Sequence, residues 1–112
     1  MKTIIESDRD DRCFLCGRGG RMEVHHMIHG TAGRKMAEAN GLTVHLCMNC
    51  HRQLHDKGTG DRELQRLAQE TWERRYVRIE TDREYRAMDA RLRELPMIAR
   101  QAWIATFGKS YK

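Results

Sequence analysis

Two Cys-x-x-Cys pairs, Cys13/Cys16 and Cys47/Cys50, flank a tandem histidine at His25 and His26, and the second pair runs straight into His51 and His55. Four thiolates from two such pairs saturate a tetrahedral Zn²⁺ and leave no open position, so a zinc held there is structural. The histidines are a separate matter, because four cysteines plus these four histidines exceed what one tetrahedral ion accepts. On a helix, His51 and His55 stand at i and i+4 and aim at one point. Neighbours on a strand point to opposite faces, so His25 and His26 must divide. One can join His51 and His55 around a divalent ion, and the other stays free as a base that titrates near neutral pH.

These side chains need elements to hold them. Cys13-Phe-Leu-Cys16-Gly17 reads as a zinc knuckle, in which the glycine lets backbone N–H groups turn back toward sulfur. Arg21 to His26 reads as a short strand and His29 to Gly33 as a glycine loop. Arg34 to Ala39 forms a short helix ended near Gly41, with Asn40 suited to terminate it. Leu42 to Leu46 is β-branched and apolar enough for a strand into the second knuckle, and Cys50 to His55 opens a helix. If Val44 points inward, His45 points out.

From Asp61 the composition shifts to Glu, Arg, Leu and Ala, with the boundary at Lys57-Gly-Thr-Gly60. This predicts a metal-organised module over residues 1–60 and a helical extension over 61–112 packed on it as a single domain. Asp61 can cap a helix running to about Arg78, with Leu64, Leu67, Ala68, Thr71, Trp72 and Tyr76 as its apolar stripe and Ile79 just beyond. Thr81-Asp-Arg-Glu84 is a capping-box pattern opening a second helix that buries Tyr85, Met88, Leu92 and Leu95. Pro96 suits the first turn of a last helix, Met97 to Phe107, stopped by Gly108. Trp72 and Trp103 are expected to pack in the core.

At 112 residues a small domain gains from a metal staple. The opening residues turn charged too early for a secretory leader, which favours a reduced, cytoplasmic zinc site over a disulfide framework. No apolar run reaches the roughly 20 residues needed to span a bilayer, so no membrane partner is expected. A net charge of +5, carried mostly by arginine, fits a phosphate-bearing partner but does not demand one, since 16 acids interleave with 21 bases.

Taken together, Cys13-x2-Cys16, Val24-His25-His26, Gly41-Leu-Thr-Val-x-Leu-Cys47-x2-Cys50-His51-x3-His55 resemble an HNH endonuclease of the ββα-metal superfamily, in its zinc-knuckle-bearing phage and prophage branch. The resemblance covers roughly residues 12 to 56, and the closing Phe107-Gly-Lys-Ser-Tyr111 is similar to the tail of small phage-encoded members. It implies an α+β fold, a small zinc-stapled, treble-clef-like module. It implies that His25, His51 and His55 hold a catalytic divalent ion and that His26 is the general base. The family's asparagine register lands on Leu42, and Asn40 stands two residues earlier. Asn40 orients the base if the loop bulges, and is otherwise a helix terminator.

The activity implied is hydrolysis of DNA phosphodiester bonds, leaving 5′-phosphate and 3′-hydroxyl ends, in the cytoplasm of a bacterial host. Phage DNA processing, recombination or packaging is the setting, with replication or packaging proteins and a second copy of the chain as further partners. Mg²⁺ is the ion the resemblance implies, whereas three imidazoles favour Zn²⁺, Ni²⁺ or Mn²⁺. Arg34 and Lys35 are expected to contact phosphate, and His29 either to touch DNA or to sit exposed in its loop. The competing reading is a zinc-stapled nucleic-acid-binding or adaptor module without catalysis.

Overall fold

Glu23–His26 (β1) and Thr43–Leu46 (β2) pair antiparallel, with His25 opposite Val44 and His26 opposite Thr43. The alternation of a strand then decides the fate of the histidine pair. His25 is buried on the face that carries Val44 and Leu46, while His26 and Val24 look outward. The computed structural model describes residues 2–83 and 89–112, with no account of the side chains of 83–92. Within it the chain is a small α+β protein: this two-stranded sheet and four helices.

Between the strands runs α1, Thr31–Asn40, which begins before the expected Arg34 because Gly33 fits inside the helix. A Cβ there would stand 3.1 Å from the Ile28 side chain, so the glycine permits close packing. The helix ends at Gly41, whose φ of 69° is left-handed and whose N–H closes on Ala37 and Glu38 carbonyls. The Ile4 N–H donates to the Gly41 carbonyl, and a Cβ on Gly41 would lie 2.5 Å from the Lys2 carbonyl oxygen. Only glycine lets the N-terminal segment cross there.

α2 covers Met48–Lys57, two residues longer at its start than expected, because the Cys47 sulfur caps it by accepting from the Cys50 N–H. The glycines expected to mark the boundary do form the turn into α3, Asp61–Arg83. On α3, Leu64 and Ala68 are buried and Leu67, Thr71, Trp72 and Tyr76 half-buried, as the stripe predicts; Ile79 instead is exposed.

The expected break after Arg78 does not occur. Thr81 lies inside α3 and caps nothing, since the helix runs on through it to Arg83. Glu84, Tyr85 and Met88 fall outside the described residues, as does the Leu92 side chain. α4 covers Asp89–Phe107, so Pro96 sits inside a helix and not in its first turn. Its ring is exposed, and Leu95 and Ala99 on either side are buried.

One apolar cluster joins the two halves. Ile5, Met27, Ile28, Leu42, Val44, Leu46 and Leu54 meet Leu64, Ala68 and Trp103 in it. Trp103 is fully buried, stacked on Phe107 at 3.9 Å and donating its indole N–H to the Lys109 carbonyl, and Trp72 meets it edge-on. Both tryptophans are packing residues. The buried Gln69 donates to Glu73 and Ser110 and accepts from the Tyr111 N–H at 2.6 Å, which fastens the C-terminal segment to α3. No helix among the described residues is long and apolar enough to cross a membrane.

Candidate metal centres and the histidine site

The two knuckles are built alike. In each, the N–H of the last cysteine turns back on the first sulfur, Cys16 to Cys13 at 3.5 Å and Cys50 to Cys47 at 3.4 Å. The Phe14 N–H donates to the His45 carbonyl at 2.8 Å, pinning the first knuckle to β2, which leads directly into the second. All four sulfurs lie within 4.8 Å of one another, and those of Cys16 and Cys47 are 3.8 Å apart. Zn–S bonds of about 2.3 Å at tetrahedral angles separate sulfurs by about 3.8 Å, so this donor set fits a structural metal such as zinc.

The four sulfurs are electrostatically unequal. Burial opposes ionisation of Cys13, yet backbone hydrogen bonds from Cys47, Cys16 and Leu15 outweigh it and bring its thiol down from 9.0 to about 6. Cys50 is pushed far up, first by burial and then by its crowding against the other sulfurs. One thiolate comes readily, and the last needs a cation.

The strand and α2 bring His25, His51 and His55 together with ligand atoms within 4.8 Å. The His25 ring centre lies 5.2 Å from that of His51 and 5.7 Å from that of His55. The Nε2 atoms of His51 and His55 are 3.0 Å apart, the spacing of adjacent corners around an octahedral ion with bonds of about 2.1 Å. Glu23 lies on the same face of β1 as His25, and its carboxylate accepts from the His51 Nδ1–H at 3.0 Å. A carboxylate on one ring nitrogen fixes the tautomer and leaves Nε2 as the lone-pair donor.

His25 is the centre of this cluster. It is 2% exposed, and its Nε2 is the one fully buried side-chain polar atom among the described residues without a hydrogen-bond partner. Burial first, and then the neighbouring rings of His51, His29 and His55, hold its pKa down from 6.5 to about 3. The ring is therefore neutral at physiological pH, as a metal ligand must be.

His26, on the opposite face, takes no part in that cluster. Its Nε2 is 2.5 Å from the Glu38 carboxylate of α1, and this contact lowers the Glu38 pKa. An ionised carboxylate only accepts, so Nε2 carries the proton of the neutral ring and Nδ1 the lone pair. His26 and Glu38 line a surface cavity with Thr31, Ala39 and the exposed Arg34 and Lys35. Two cationic side chains thus share a cavity with the ring expected to be a base.

Asn40 is engaged elsewhere. Its amide donates to the Met36 carbonyl and accepts from the Trp72 indole N–H at 3.0 Å, tying the end of α1 to α3. His45 points away from the core side of β2, as Val44 inside requires, but it is not idle. Its N–H and its ring both bond the buried Asp8 carboxylate, at 2.8 and 2.7 Å.

His29 bonds Asp61 at 2.6 Å, and its ring centre is 5.7 Å from that of His25. Asp61 therefore opens α3 but turns its carboxylate to the histidines. Sequence reasoning missed Glu23, Glu38 and Asp61. The signal for Glu23 was its i, i+2 spacing from His25 on a strand. No spacing pointed to Asp61, which lies 32 residues from His29. No family model, curated protein or solved structure matches this chain.

Proposed function

We propose that the chain is a metal-dependent DNA endonuclease of the HNH type, its N-terminal part a treble-clef-like ββα-metal module stapled by zinc on Cys13, Cys16, Cys47 and Cys50. The observation that carries this reading is the division of the histidine pair. His25 centres a cluster whose buried nitrogen lacks a partner, while His26 stands apart, paired with a carboxylate beside two cations. A purely structural zinc module has no use for that arrangement.

In this reading His25, His51 and His55 hold a divalent ion, Mg²⁺, Mn²⁺, Ni²⁺ or Zn²⁺, which when bound stabilises negative charge on the phosphorane and the departing 3′ oxygen. His26 accepts through Nδ1 the proton of the water that attacks phosphorus. Glu38 keeps the opposite nitrogen protonated and stabilises the imidazolium that forms, doing the orienting work that the family gives to an asparagine. Arg34 and Lys35 receive phosphates flanking the scissile bond. Contacts of that kind grip the backbone without reading bases, so cleavage is expected to depend on salt more than on sequence. The setting is the cytoplasm of a bacterial host, in phage or prophage DNA processing.

The test is nicking of supercoiled plasmid by the zinc-loaded protein with Mg²⁺, Mn²⁺ or Ni²⁺ and with EDTA. Conversion to open-circle or linear DNA only when a divalent ion is added supports the proposal. DNA retention without cleavage under every ion would favour the binding-module reading.

A further inference from the structure

His25 belongs to two ligand groups. One is the set with His51 and His55; the other joins it to His29 and Asp61, again with all ligand atoms within 4.8 Å. The two groups are contiguous, since the His29 ring centre is 6.1 Å from that of His55 as well as 5.7 Å from that of His25. His25, which both groups share, carries a buried, unpartnered Nε2, and a polar atom so placed without a partner points to a ligand.

We propose that the divalent ion has two alternative positions sharing His25: one held by the imidazoles of His51 and His55, the other by His29 and the Asp61 carboxylate. This rests on the reading of the histidine cluster as an ion site. The donor chemistry separates the positions. Three neutral imidazoles suit Ni²⁺ or Zn²⁺, whereas a carboxylate adds a hard oxygen and a negative charge that suit Mn²⁺.

Because each position uses His25, filling one empties the other, and the protein binds one ion beyond the cysteine-held zinc. The second position also makes the helical extension part of the site, since Asp61 is the first residue of α3. In the absence of an ion the His29–Asp61 hydrogen bond at 2.6 Å satisfies both groups, and a cation replaces the shared proton. The identity of the ion then sets whether α3 is tied to the histidine cluster.

The experiment is calorimetric titration of the zinc-loaded protein with Mn²⁺ and, separately, Ni²⁺, using wild type, Asp61→Asn, His55→Ala and His25→Ala. Circular dichroism checks that each variant is folded. Asp61 and His55 both reach the surface, so their variants are expected to fold even if His25→Ala does not. Asp61→Asn should weaken Mn²⁺ by at least about tenfold and leave Ni²⁺ within about twofold, and His55→Ala should do the reverse. Unchanged Mn²⁺ affinity in Asp61→Asn, with both ions lost in His55→Ala, would overturn the second position and leave the first standing. No effect of His55→Ala or His25→Ala on either ion would overturn the ion site itself and the proposal with it.

Discussion

At the cysteine cluster the donors come from one tight turn, Cys13 to Cys16, and from the start of α2, where the Cys16 and Cys50 N–H groups point at the Cys13 and Cys47 sulfurs, and β2 joins the two. At the histidine cluster the donors come from a strand, a loop and two helices, and the central ring keeps a buried nitrogen without a partner. The first arrangement can close around a metal such as zinc and would leave it no open position for a substrate. The second, with His51 half-buried and His29 and His55 exposed, would leave an ion held there open to water. Geometry that saturates an ion builds a fold, and geometry that leaves it unsaturated can do chemistry.

The comparison is broken most forcefully at Cys47. Its sulfur caps α2 and is one of four donors, so Cys47→Ser should abolish zinc binding and cooperative unfolding together. Structural zinc is worth on the order of 10 kcal/mol in small modules, as much as the whole stability of a domain this size. A zinc-free Cys47→Ser protein with native circular dichroism and a sharp melt would sink the structural assignment. By contrast His51→Ala should keep its zinc and its fold while losing metal-dependent nicking by roughly 100-fold or more, read by native mass spectrometry and plasmid assay.

The shared core sets the next scale. Trp103→Ala removes a fully buried ring that touches both halves and should cost about 3–5 kcal/mol in a urea unfolding series, with the zinc count unchanged. Glu38→Gln tests the positioning of the base. It should lower kcat by about 10- to 100-fold with KM and metal affinity unchanged, and Glu38→Asp should recover part of the loss. A rise in KM or a loss of metal affinity with kcat unchanged would place Glu38 outside catalysis.

Acid tests the histidine cluster through its buried ring. The folded His25 ring resists protonation down to about 3, whereas the unfolded ring accepts a proton near 6.5. The unfolded state therefore binds more protons between these values, and stability of the protein without its histidine-bound ion must fall as pH drops from 6.5 toward 3 and level off above. Urea midpoints across that range should show a slope that His25→Gln flattens.

The two clusters also differ in how far the sequence announced them. Both knuckles were legible because turn chemistry and ligand spacing are local, and the split of His25 from His26 followed from strand alternation alone. What escaped were partners brought in by tertiary contact: Glu38 on His26, Asp61 on His29 and Asp8 on His45. The Thr81 cap failed for a different reason: a capping-box pattern marks a helix start only where the preceding residues are not helical, and α3 runs straight through Thr81. The position of Asn40 suits both an orienting residue and a helix terminator; the structure places it at the end of α1 with Trp72 as its partner.

The most direct test of the division between a folding cluster and a chemical one is His26→Ala, assayed for plasmid nicking at matched metal occupancy. The variant should retain its zinc, its second divalent ion and its melting temperature within a few degrees, yet cleave about 10²- to 10⁴-fold more slowly than wild type. Cleavage at the wild-type rate by a fully metallated His26→Ala protein would contradict the account.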